Sequence, residues 1–465
     1  MLDQNVAFRL EGDARFIHDR AAAREALLAE PGADDCGAAG MCLVTGETRP
    51  IARLHPSIKG VPGAQSSGAA LVSFNLDAFT SYGKTQGGNA PVSEPTAFAY
   101  ATALNALLAP SGTNEKGWAT YSNRVRLGNV TVVFWAETAE AEAIAGGLFG
   151  DMRDDTTESD AVGEVLREMA VLKPLQEAAP DVDPTARVYV LGLSANAARL
   201  SVRFWMEQSL GELATCFAEH WTDLQIEPRP RFWPPSMRAL LLELAAQGEP
   251  ENVPDHLNGE FTRAILTGSS YPRSLLSLAI MRIRSDQDHE DKKTGRKREK
   301  VGDLRVALLK ACLARAYRKG LITEDVPVSL DLASTNPAYR LGRLFSALER
   351  LQRAALGQRN ATIRDRFYAA ASATPAMVFP TLVRNARNHS KKVRSTTGSG
   401  LAEWFEDRIA EIVGDVHAFP KTLTLEDQGR FALGYYHQRA AFMQKKDVPA
   451  EIAVADATAD TSDED

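Results

Sequence analysis

Residues 60–89 form a segment rich in glycine, serine, asparagine and glutamine, GVPGAQSSGAALVSFNLDAFTSYGKTQGGN. Amide and hydroxyl side chains donate and accept hydrogen bonds without charge, which suits them to base edges in a groove. Glycine lets the backbone approach a ligand closely, and an exposed tyrosine can stack on a base. The alternative is a surface loop whose polar groups satisfy one another. The segment predicts DNA contacts by Lys59, Gln65, Ser66, Ser67, Ser73, Asn75, Ser81, Tyr82, Lys84, Gln86 and Asn89.

Positive charge is concentrated in two stretches, although the formal net charge of the chain is −7. Residues 338–394 contain twelve lysines and arginines against two acids, and residues 282–319 contain thirteen against six. Ordinary surfaces mix the two signs, so this excess favours phosphate binding over plain solvated charge. It predicts contacts with the nucleic-acid backbone by Lys292, Lys293, Arg296, Lys297, Arg298, Arg343, Arg350, Arg384, Arg387, Lys391, Lys392 and Arg394.

The sequence shows none of the residue arrangements that are typical of a catalytic site. It contains no P-loop, dinucleotide fingerprint, HExxH or GxSxG motif. The acids Asp151, Asp154 and Asp155 lie in a glycine-containing stretch, and His389 is surrounded by cations. A nuclease requires clustered carboxylates that hold divalent ions. The sequence therefore predicts no catalytic residue, no metal and no cofactor; a nuclease subunit with its own metal site is the alternative.

Cysteine usage and hydropathy place the chain among soluble proteins of a reducing compartment. Cys36, Cys42 and His55 could supply three metal ligands, but their spacing is loose and ordinary thiols are favoured. Four cysteines in 465 residues are too few for a disulfide framework, which indicates the cytoplasm. No apolar run reaches the roughly 18 residues that a membrane helix requires. We therefore expect a soluble cytoplasmic protein without a membrane segment.

The first half of the chain has the pattern of a mixed α/β body. β-Branched and aromatic residues are concentrated in short runs that predict strands. A stripe of small and apolar residues predicts a helix over 94–108, and an acidic linker is expected over 137–164. The predicted strands and extended pieces are CLVTG (42–46), RPIARLHP (49–56), LVSFN (71–75), NVTVVFWA (129–136), ARVYVLGLS (186–194) and RLSVRFW (199–205).

Beyond residue 235 the pattern is helical. Leu341, Leu344 and Leu348 keep the spacing of a buried helix face, and Pro375 and Pro380 are expected to separate helices. The predicted fold class is α+β, with an N-terminal mixed α/β body containing a β-sheet and a C-terminal all-α helical bundle. The predicted domains are the α/β body (1–235), a helical connector (236–327) with a basic loop (286–300), the bundle (328–446) and a disordered acidic tail (447–465).

Four longer stretches give the sequence a family resemblance. They are GVPGAQSSGAALVSFNLDAFTSYG followed by NAPVS, then GNVTVVFWA, then VLGLSANAARLSVRFW, and finally DQGRFALGYYHQR. In their order and length over residues 42–439, they resemble the large subunit of type I-C CRISPR Cascade, of the Csd family. Large subunits of that family are usually longer at the N-terminus, so this chain resembles a shortened form.

The resemblance implies a non-catalytic subunit at the 5′ end of the crRNA. Such a subunit recognises the protospacer-adjacent motif in double-stranded target DNA, promotes R-loop formation, stabilises the displaced strand and helps to recruit a helicase-nuclease. Its implied partners are crRNA, target DNA, the Cascade backbone subunits, the crRNA-end subunit and the small subunits. The bundle resembles the small subunit, which this family also translates separately, here from a boundary near Val328. An RNA- and protein-binding scaffold that does not read DNA is a further alternative.

Overall fold

The computed structural model describes residues 9–10, 16–23, 39–114, 117, 119–150, 159–171, 173–249, 252–290, 297–357, 362–414 and 418–444. They form two compact units. The first contains the described residues up to Gly60 together with Ala64–Ala106 and Asn196–Leu200, and the second contains the rest. The predicted domain boundaries at 235 and 328 both fall inside the second unit and stay predictions.

The first unit contains short elements and the helix α1 (Glu94–Leu108), which has the predicted bounds. Strands β1 (Ala39–Met41) and β2 (Thr48–Pro50) pair antiparallel. Two single turns of 3₁₀-helix follow, at Asp77–Phe79 and Gln86–Asn89. The residues between these elements are tied down by isolated bridges, which link Ile51 to Ser93, Ile58 to Ala69, Ala64 to Ala197 and Ala70 to Arg199.

The second unit contains a four-stranded sheet in the order β5-β6-β7-β8. Its central strand β6 pairs antiparallel with both of its neighbours. One face is buried in the core through side chains such as Val132, Phe134 and Val190, as the apolar runs predicted. The remaining strands are β3 (Gly112–Thr113), β4 (Ala119–Thr120), β5 (Arg124–Leu127), β6 (Val130–Ala136), β7 (Arg187–Asn196), β8 (Arg199–Ser209), β9 (His289–Glu290) and β10 (Lys297–Arg298). They belong to the second unit except for Asn196 of β7 and the first two residues of β8, which are assigned to the first.

Helices make up most of the remaining second unit. Several begin at polar N-caps; Ser209 and Glu212, for example, form a reciprocal capping box. Within the described residues, every helix is too short or too polar to cross a lipid bilayer. The helices are α2 (Ala139–Phe149), α3 (Ser159–Ala170), α4 (Leu175–Ala178), α5 (Leu210–Leu224), α6 (Met237–Leu242), α7 (Asp255–Thr267), α8 (Arg273–Ser285), α9 (Asp303–Arg318), α10 (Pro337–Leu356), α11 (Ile363–Ala371), α12 (Pro375–Thr396), α13 (Ser399–Val413) and α14 (Leu425–Met443).

The predicted fold class is confirmed, because a sheet lies in the N-terminal half and helices dominate the C-terminal half. Two predicted strands are wrong. LVSFN forms bends and coil, since the backbone pairs in this region are made by Ala69 and Ala70 instead. CLVTG is mostly the turn between β1 and β2 rather than a strand.

Two predictions about helices are also wrong. The acidic stretch expected to be a linker contains α2 and the start of α3, because Ala141, Ile144 and Leu148 supply a buried helix face. Pro380 does not separate two helices but lies inside α12. It is only the sixth residue of that helix, so it removes one early backbone hydrogen bond and the helix continues.

Helices α10 and α14 cross with their backbones in contact. A Cβ atom on Gly342 would lie 2.0 Å from the carbonyl oxygen of Phe431, and one on Gly434 would lie 2.0 Å from that of Tyr339. Around the crossing, Phe345 packs edge-on against Phe431 and Tyr435. Only glycine permits so close an approach, so these two positions fix how the two helices pack.

A buried carboxylate lies beside this crossing. Glu349 on α10 is 4% exposed and accepts a hydrogen bond of 2.6 Å from the Tyr435 hydroxyl of α14. Arg353 donates to it at 3.1 Å, and the Nε of Arg364 on α11 lies 3.8 Å away. A buried charge is tolerated when it is paired and hydrogen-bonded, so Glu349 links three helices through polar contacts.

We predict that Gly342→Ala destabilises the protein strongly. The added methyl group meets backbone atoms that cannot move independently, and overpacking of this kind costs about 3 kcal/mol. Urea unfolding followed by circular dichroism measures the loss. The matched control is Gly259→Ala in α7, where a Cβ meets no atom within 4 Å and the substitution should stabilise by about 0.5–1 kcal/mol. Equal unfolding midpoints for both variants would contradict the packing described here.

We also predict that protonation of His437 destabilises the fold below neutral pH. His437 is 1% exposed, its Nδ1 lies 2.9 Å from the Tyr339 hydroxyl, and burial lowers its pKa to about 4. The unfolded chain takes up the proton near pH 6.5, but the folded chain takes it up only near pH 4. The free energy of unfolding therefore has its full value above pH 6.5 and decreases as the pH drops towards 4. At pH 5 this histidine costs about 2 kcal/mol.

The measurement compares the free energy of unfolding at pH 7.5 and pH 5 in the wild type and in His437→Asn. Burial also lowers the pKa of His55, His220 and His389, but these residues contribute equally in both proteins. The variant should therefore lose about 2 kcal/mol less than the wild type between the two pH values. An identical pH dependence in the two proteins would show that His437 does not take part.

Candidate nucleic-acid interface

Helix α12 carries an exposed stripe of cations, Arg384, Arg387, Lys391 and Lys392, here called the α12 stripe. The four side chains lie within an arc of about 140°, and the opposite side of the helix is buried. Within the described residues none of the four has an ion-pair partner; Arg384 donates only to the Thr381 hydroxyl, at 3.3 Å. The stripe is about 12 Å long, the axial span of three to four phosphates on one DNA strand.

Arg394 was predicted to belong with these cations, but acids of α13 contact it. Its guanidinium lies 3.3 Å from Glu403 and 3.0 Å from Glu406. All three side chains are about half exposed, so the pairing is weak, yet it places negative charge at the C-terminal end of the stripe. His389, on the same helix, is half-buried, and burial together with nearby Lys392 lowers its pKa.

Two further predicted phosphate contacts, Arg343 and Arg350 on α10, have partners within the protein. Arg343 is 1% exposed, donates to the Gln438 amide oxygen at 3.1 Å and pairs with Glu411 at 3.3 Å. Arg350 is half-buried and has a partner within the protein. Arg343 is therefore used inside the protein, and Arg350 is not a free surface cation. The excess of bases over acids in 338–394 is smaller in space than in sequence, because acids from other elements compensate the buried arginines.

The basic loop is only partly within the described residues. Lys292, Lys293 and Arg296 lie outside them and stay predictions, and Lys297 is described only as a backbone position in β10. Arg298 turns towards the protein, where it donates to the Leu242 carbonyl and lies 3.4 Å from Glu243. Arg298 therefore holds the end of the basic loop against the protein, and its charge is already paired with Glu243.

The polar segment (residues 60–89), which belongs to the first unit except for Val61–Gly63, exposes a tight turn. Gly68 N–H donates to the Gln65 carbonyl at 2.9 Å, and Gln65 N–H donates to the Ala197 carbonyl at 3.3 Å. Gln65, Ser66 and Ser67 are exposed there. The side chains of Lys59 and Lys84 are also exposed, while Ser73 is half-buried. The turn thus presents one amide and two hydroxyl groups to solvent.

A second turn in the polar segment carries Tyr82 at its tip. Lys84 N–H donates to the Ser81 carbonyl at 2.9 Å, and both central residues have positive φ, 51° at Tyr82 and 71° at Gly83. Such turns favour asparagine or glycine, and a left-handed bulky residue costs about 1–3 kcal/mol. The Tyr82 side chain is nevertheless 98% exposed. The turn therefore holds an aromatic ring out into solvent at a cost to the free protein.

Asn89 holds this second turn in place. Its Oδ1 accepts from Ser81 N–H at 3.0 Å, and its Nδ2 donates to the carbonyls of Lys84 and Gln86 at 3.1 Å. The amide was predicted to contact DNA, but these three bonds use most of its hydrogen-bonding capacity. Asn89 is a structural clip in this conformation.

Two arginines that sequence reasoning missed donate hydrogen bonds to two of the other predicted amides, Gln86 and Asn75. Arg53 donates to the Gln86 Oε1 at 2.9 Å. Arg199 donates to the Asn75 Oδ1 and lies over the Phe79 ring, 4.3 Å from its centroid. Nothing in the local sequence indicates these contacts, since Arg199 is 124 residues from Asn75. Both guanidinium groups lie beside the predicted site and add positive charge to it.

Residues considered for metal binding are engaged in other contacts. The Cys42 sulfur accepts from Ser93 N–H at 3.3 Å, and His55 Nδ1 lies 2.7 Å from the Tyr100 hydroxyl. Cys36 and the acids at 151, 154 and 155 lie outside the described residues. Among the residues that are described, no group of three or more His, Cys, Asp or Glu side chains is placed to hold a metal ion.

Comparison with known proteins gives one positive finding. A family model described as CRISPR-associated protein (Cas_Csd1) matches residues 1–443. Among curated proteins, none matches the sequence. The family match spans the polar segment, the four-stranded sheet and the α12 stripe.

We predict that Asn89→Ala loosens the Tyr82 turn. Three hydrogen bonds are lost, each worth about 1 kcal/mol, so amides of residues 81–89 should exchange with solvent at least about tenfold faster. Hydrogen exchange followed by mass spectrometry measures this. The control is Ser67→Ala, which removes an exposed hydroxyl of the first turn and should leave exchange in 81–89 unchanged. Unchanged exchange in Asn89→Ala would show that the clip does not hold the turn.

Proposed function

The chain belongs to the family of CRISPR-associated proteins described as Cas_Csd1, and from this premise we propose that it is a non-catalytic, nucleic-acid-binding subunit of a type I-C surveillance complex. In this proposal it recognises the protospacer-adjacent motif in duplex DNA, promotes R-loop formation with crRNA and stabilises the displaced strand. The α12 stripe is the observation that carries the proposal, because on one helix face it presents cations that have no ion-pair partner in the described part of the chain.

The stripe suits a backbone contact rather than a base contact. Lysine and arginine held on one helix face neutralise successive phosphates whatever the sequence, and released counterions supply the free energy. Among the described residues these four cations are exposed and have no carboxylate partner, so binding breaks no ion pair. Such a surface fits a single strand whose sequence has already been read elsewhere.

The polar segment supports the reading of a short duplex motif. Gln65, Ser66 and Ser67 can bond to base edges, whereas Lys84 can hold a phosphate. Tyr82 is placed on a narrow turn, a shape that allows an aromatic side chain to enter between base steps. The strain at Tyr82 is consistent with a role outside the free protein, because strained residues concentrate at functional sites.

In this proposal the polar segment recognises the short duplex motif, the α12 stripe holds the displaced strand, and the guide RNA reads the sequence, as in other RNA-guided effectors. Guide pairing replaces one duplex by another of similar stability, so the exchange is nearly balanced. A few backbone contacts that trap the displaced strand are then enough to favour the open state. The proposal includes cytoplasmic partners: crRNA, target DNA, the Cascade backbone subunits, the crRNA-end subunit, the small subunits and a helicase-nuclease recruited in trans.

We predict that alanine at all four positions of the α12 stripe weakens single-strand binding at every sequence alike. The slope of log K against log salt should become shallower by about 3, since each lost phosphate contact removes about 0.7 for a single strand. Fluorescence anisotropy with labelled oligonucleotides over a salt series measures the slope. In the assembled complex, the same variant should shorten the lifetime of the R-loop.

The matched control removes the same total charge from cations that already have acid partners, namely Arg49, Lys173, Arg187 and Arg273. This control should change the slope by much less. Equal slopes in the stripe variant and the wild type would contradict the proposal. Sustained cleavage of DNA by the purified chain with Mg²⁺ or Mn²⁺ would favour a nuclease, and an assembled complex without a footprint on the motif-flanking duplex would favour a scaffold.

A further inference from the structure

Residues 227–236, between α5 and α6, have the sequence EPRPRFWPPS and are here called the proline loop. Four of the ten residues are prolines, each of which fixes its φ angle and restricts the residue before it. Three of these prolines, Pro230, Pro234 and Pro235, are buried. The loop therefore has little conformational freedom for a connection of this length.

The proline loop is also anchored to the helical part of the second unit. Glu227 N–H donates to the Val328 carbonyl at 2.8 Å, and the Tyr436 hydroxyl of α14 donates to the Pro228 carbonyl at 3.0 Å. Trp233 is half-buried and packs against the core. These contacts hold the N-terminal part and the tryptophan, so the side chains between them are displayed from a rigid support.

Those displayed side chains are cationic and aromatic. Arg229 and Arg231 are exposed, and Phe232 is 50% exposed. The Arg231 guanidinium lies 5.5 Å from the Phe232 ring centroid, and that of Arg229 lies 5.7 Å from the Trp233 centroid. Arg238, at the start of α6, adds a third exposed cation. Within the described part of the chain, no carboxylate forms an ion pair with any of these arginines.

We propose that the proline loop binds single-stranded nucleic acid, with a base on Phe232 and phosphates on Arg229 and Arg231. Base stacking on an exposed aromatic ring contributes about 1–3 kcal/mol and tolerates any sequence, and arginine beside it adds charge and cation–π contact. A duplex cannot offer an unstacked base face to Phe232 without distortion, so a single strand fits better.

A polynucleotide fits this surface better than a protein partner does. Arg229 and Arg231 of the loop, with Arg238 beside it in α6, give this surface a positive charge. A protein partner would need a matching acidic surface to avoid burying unpaired guanidinium groups. Nucleic acid supplies negative charge and planar rings at regular spacing. Because the prolines already restrict the loop, binding loses little conformational entropy. The inference rests on the proposed function only in that the chain binds nucleic acid; its residues differ from those of the α12 stripe and the polar segment.

The test uses the full chain and a single-stranded oligonucleotide of about 12 nucleotides containing 2-aminopurine, whose fluorescence is quenched by stacking. Phe232→Leu should abolish the part of the quenching that binding causes and weaken affinity about tenfold, while leaving the salt slope unchanged. Arg229→Gln with Arg231→Gln should make the slope shallower by about 1.4. Phe98→Leu, which alters another exposed aromatic residue, is the control and should behave as the wild type.

The outcomes separate this inference from the proposed function. If the α12 stripe variant weakens binding but Phe232→Leu changes neither quenching nor affinity, the proline loop is not a nucleic-acid site and the proposed function stands. If neither set of variants affects binding, both proposals fail. If the loop variants bind the oligonucleotide normally but no longer assemble with the other subunits, the loop is a protein contact and this inference is overturned. Unfolding midpoints equal to the wild type verify that each variant is folded.

Discussion

Contact between the backbones of α10 and α14 is the constraint on which the helical part depends. Gly342 and Gly434 permit it, and the aromatic side chains around them fill the space that two crossing helices leave. Because Tyr436 of α14 also holds the proline loop, the same crossing supports a surface at some distance from it. The stretch DQGRFALGYYHQR, which helped to suggest the family, is mostly buried in α14. It builds the core and is not itself a nucleic-acid surface.

Arginine has two separate roles in this protein, and burial distinguishes them. Arg343 and Arg364 are buried and pair with acids that lie far away in the sequence. Their charges stabilise contacts between elements of the fold. Burying these charges costs desolvation free energy, which only a well-formed ion pair offsets. The four cations of the α12 stripe have no such partners among the described residues and remain available to a polyanion. Counting charges along a sequence does not separate these two groups.

Elements that depend on the local sequence were predicted correctly, whereas contacts between segments far apart in the sequence were not. Helix α1 and strands β6 to β8 were predicted because periodicity and β-branched runs are local signals. The same reasoning found the cations of the α12 stripe, which lie three, seven and eight residues after Arg384 on one helix. It could not find that Asn89 clips its own turn, or that Arg199 reaches Asn75, since these contacts depend on how distant segments meet. Pro380 was misjudged because its effect depends on its position within a helix.

A concentrated cationic stripe on a chain of net charge −7 has a kinetic consequence. At long range a polyanion meets net repulsion, and attraction takes over only within about a Debye length of the stripe, roughly 10 Å at 0.1 M ionic strength. At low ionic strength the net repulsion therefore slows the encounter, whereas at high ionic strength the attraction to the stripe is screened. The association rate constant for binding to the stripe should accordingly pass through a maximum at intermediate ionic strength, and a productive collision there requires the polyanion to meet the outer face of α12.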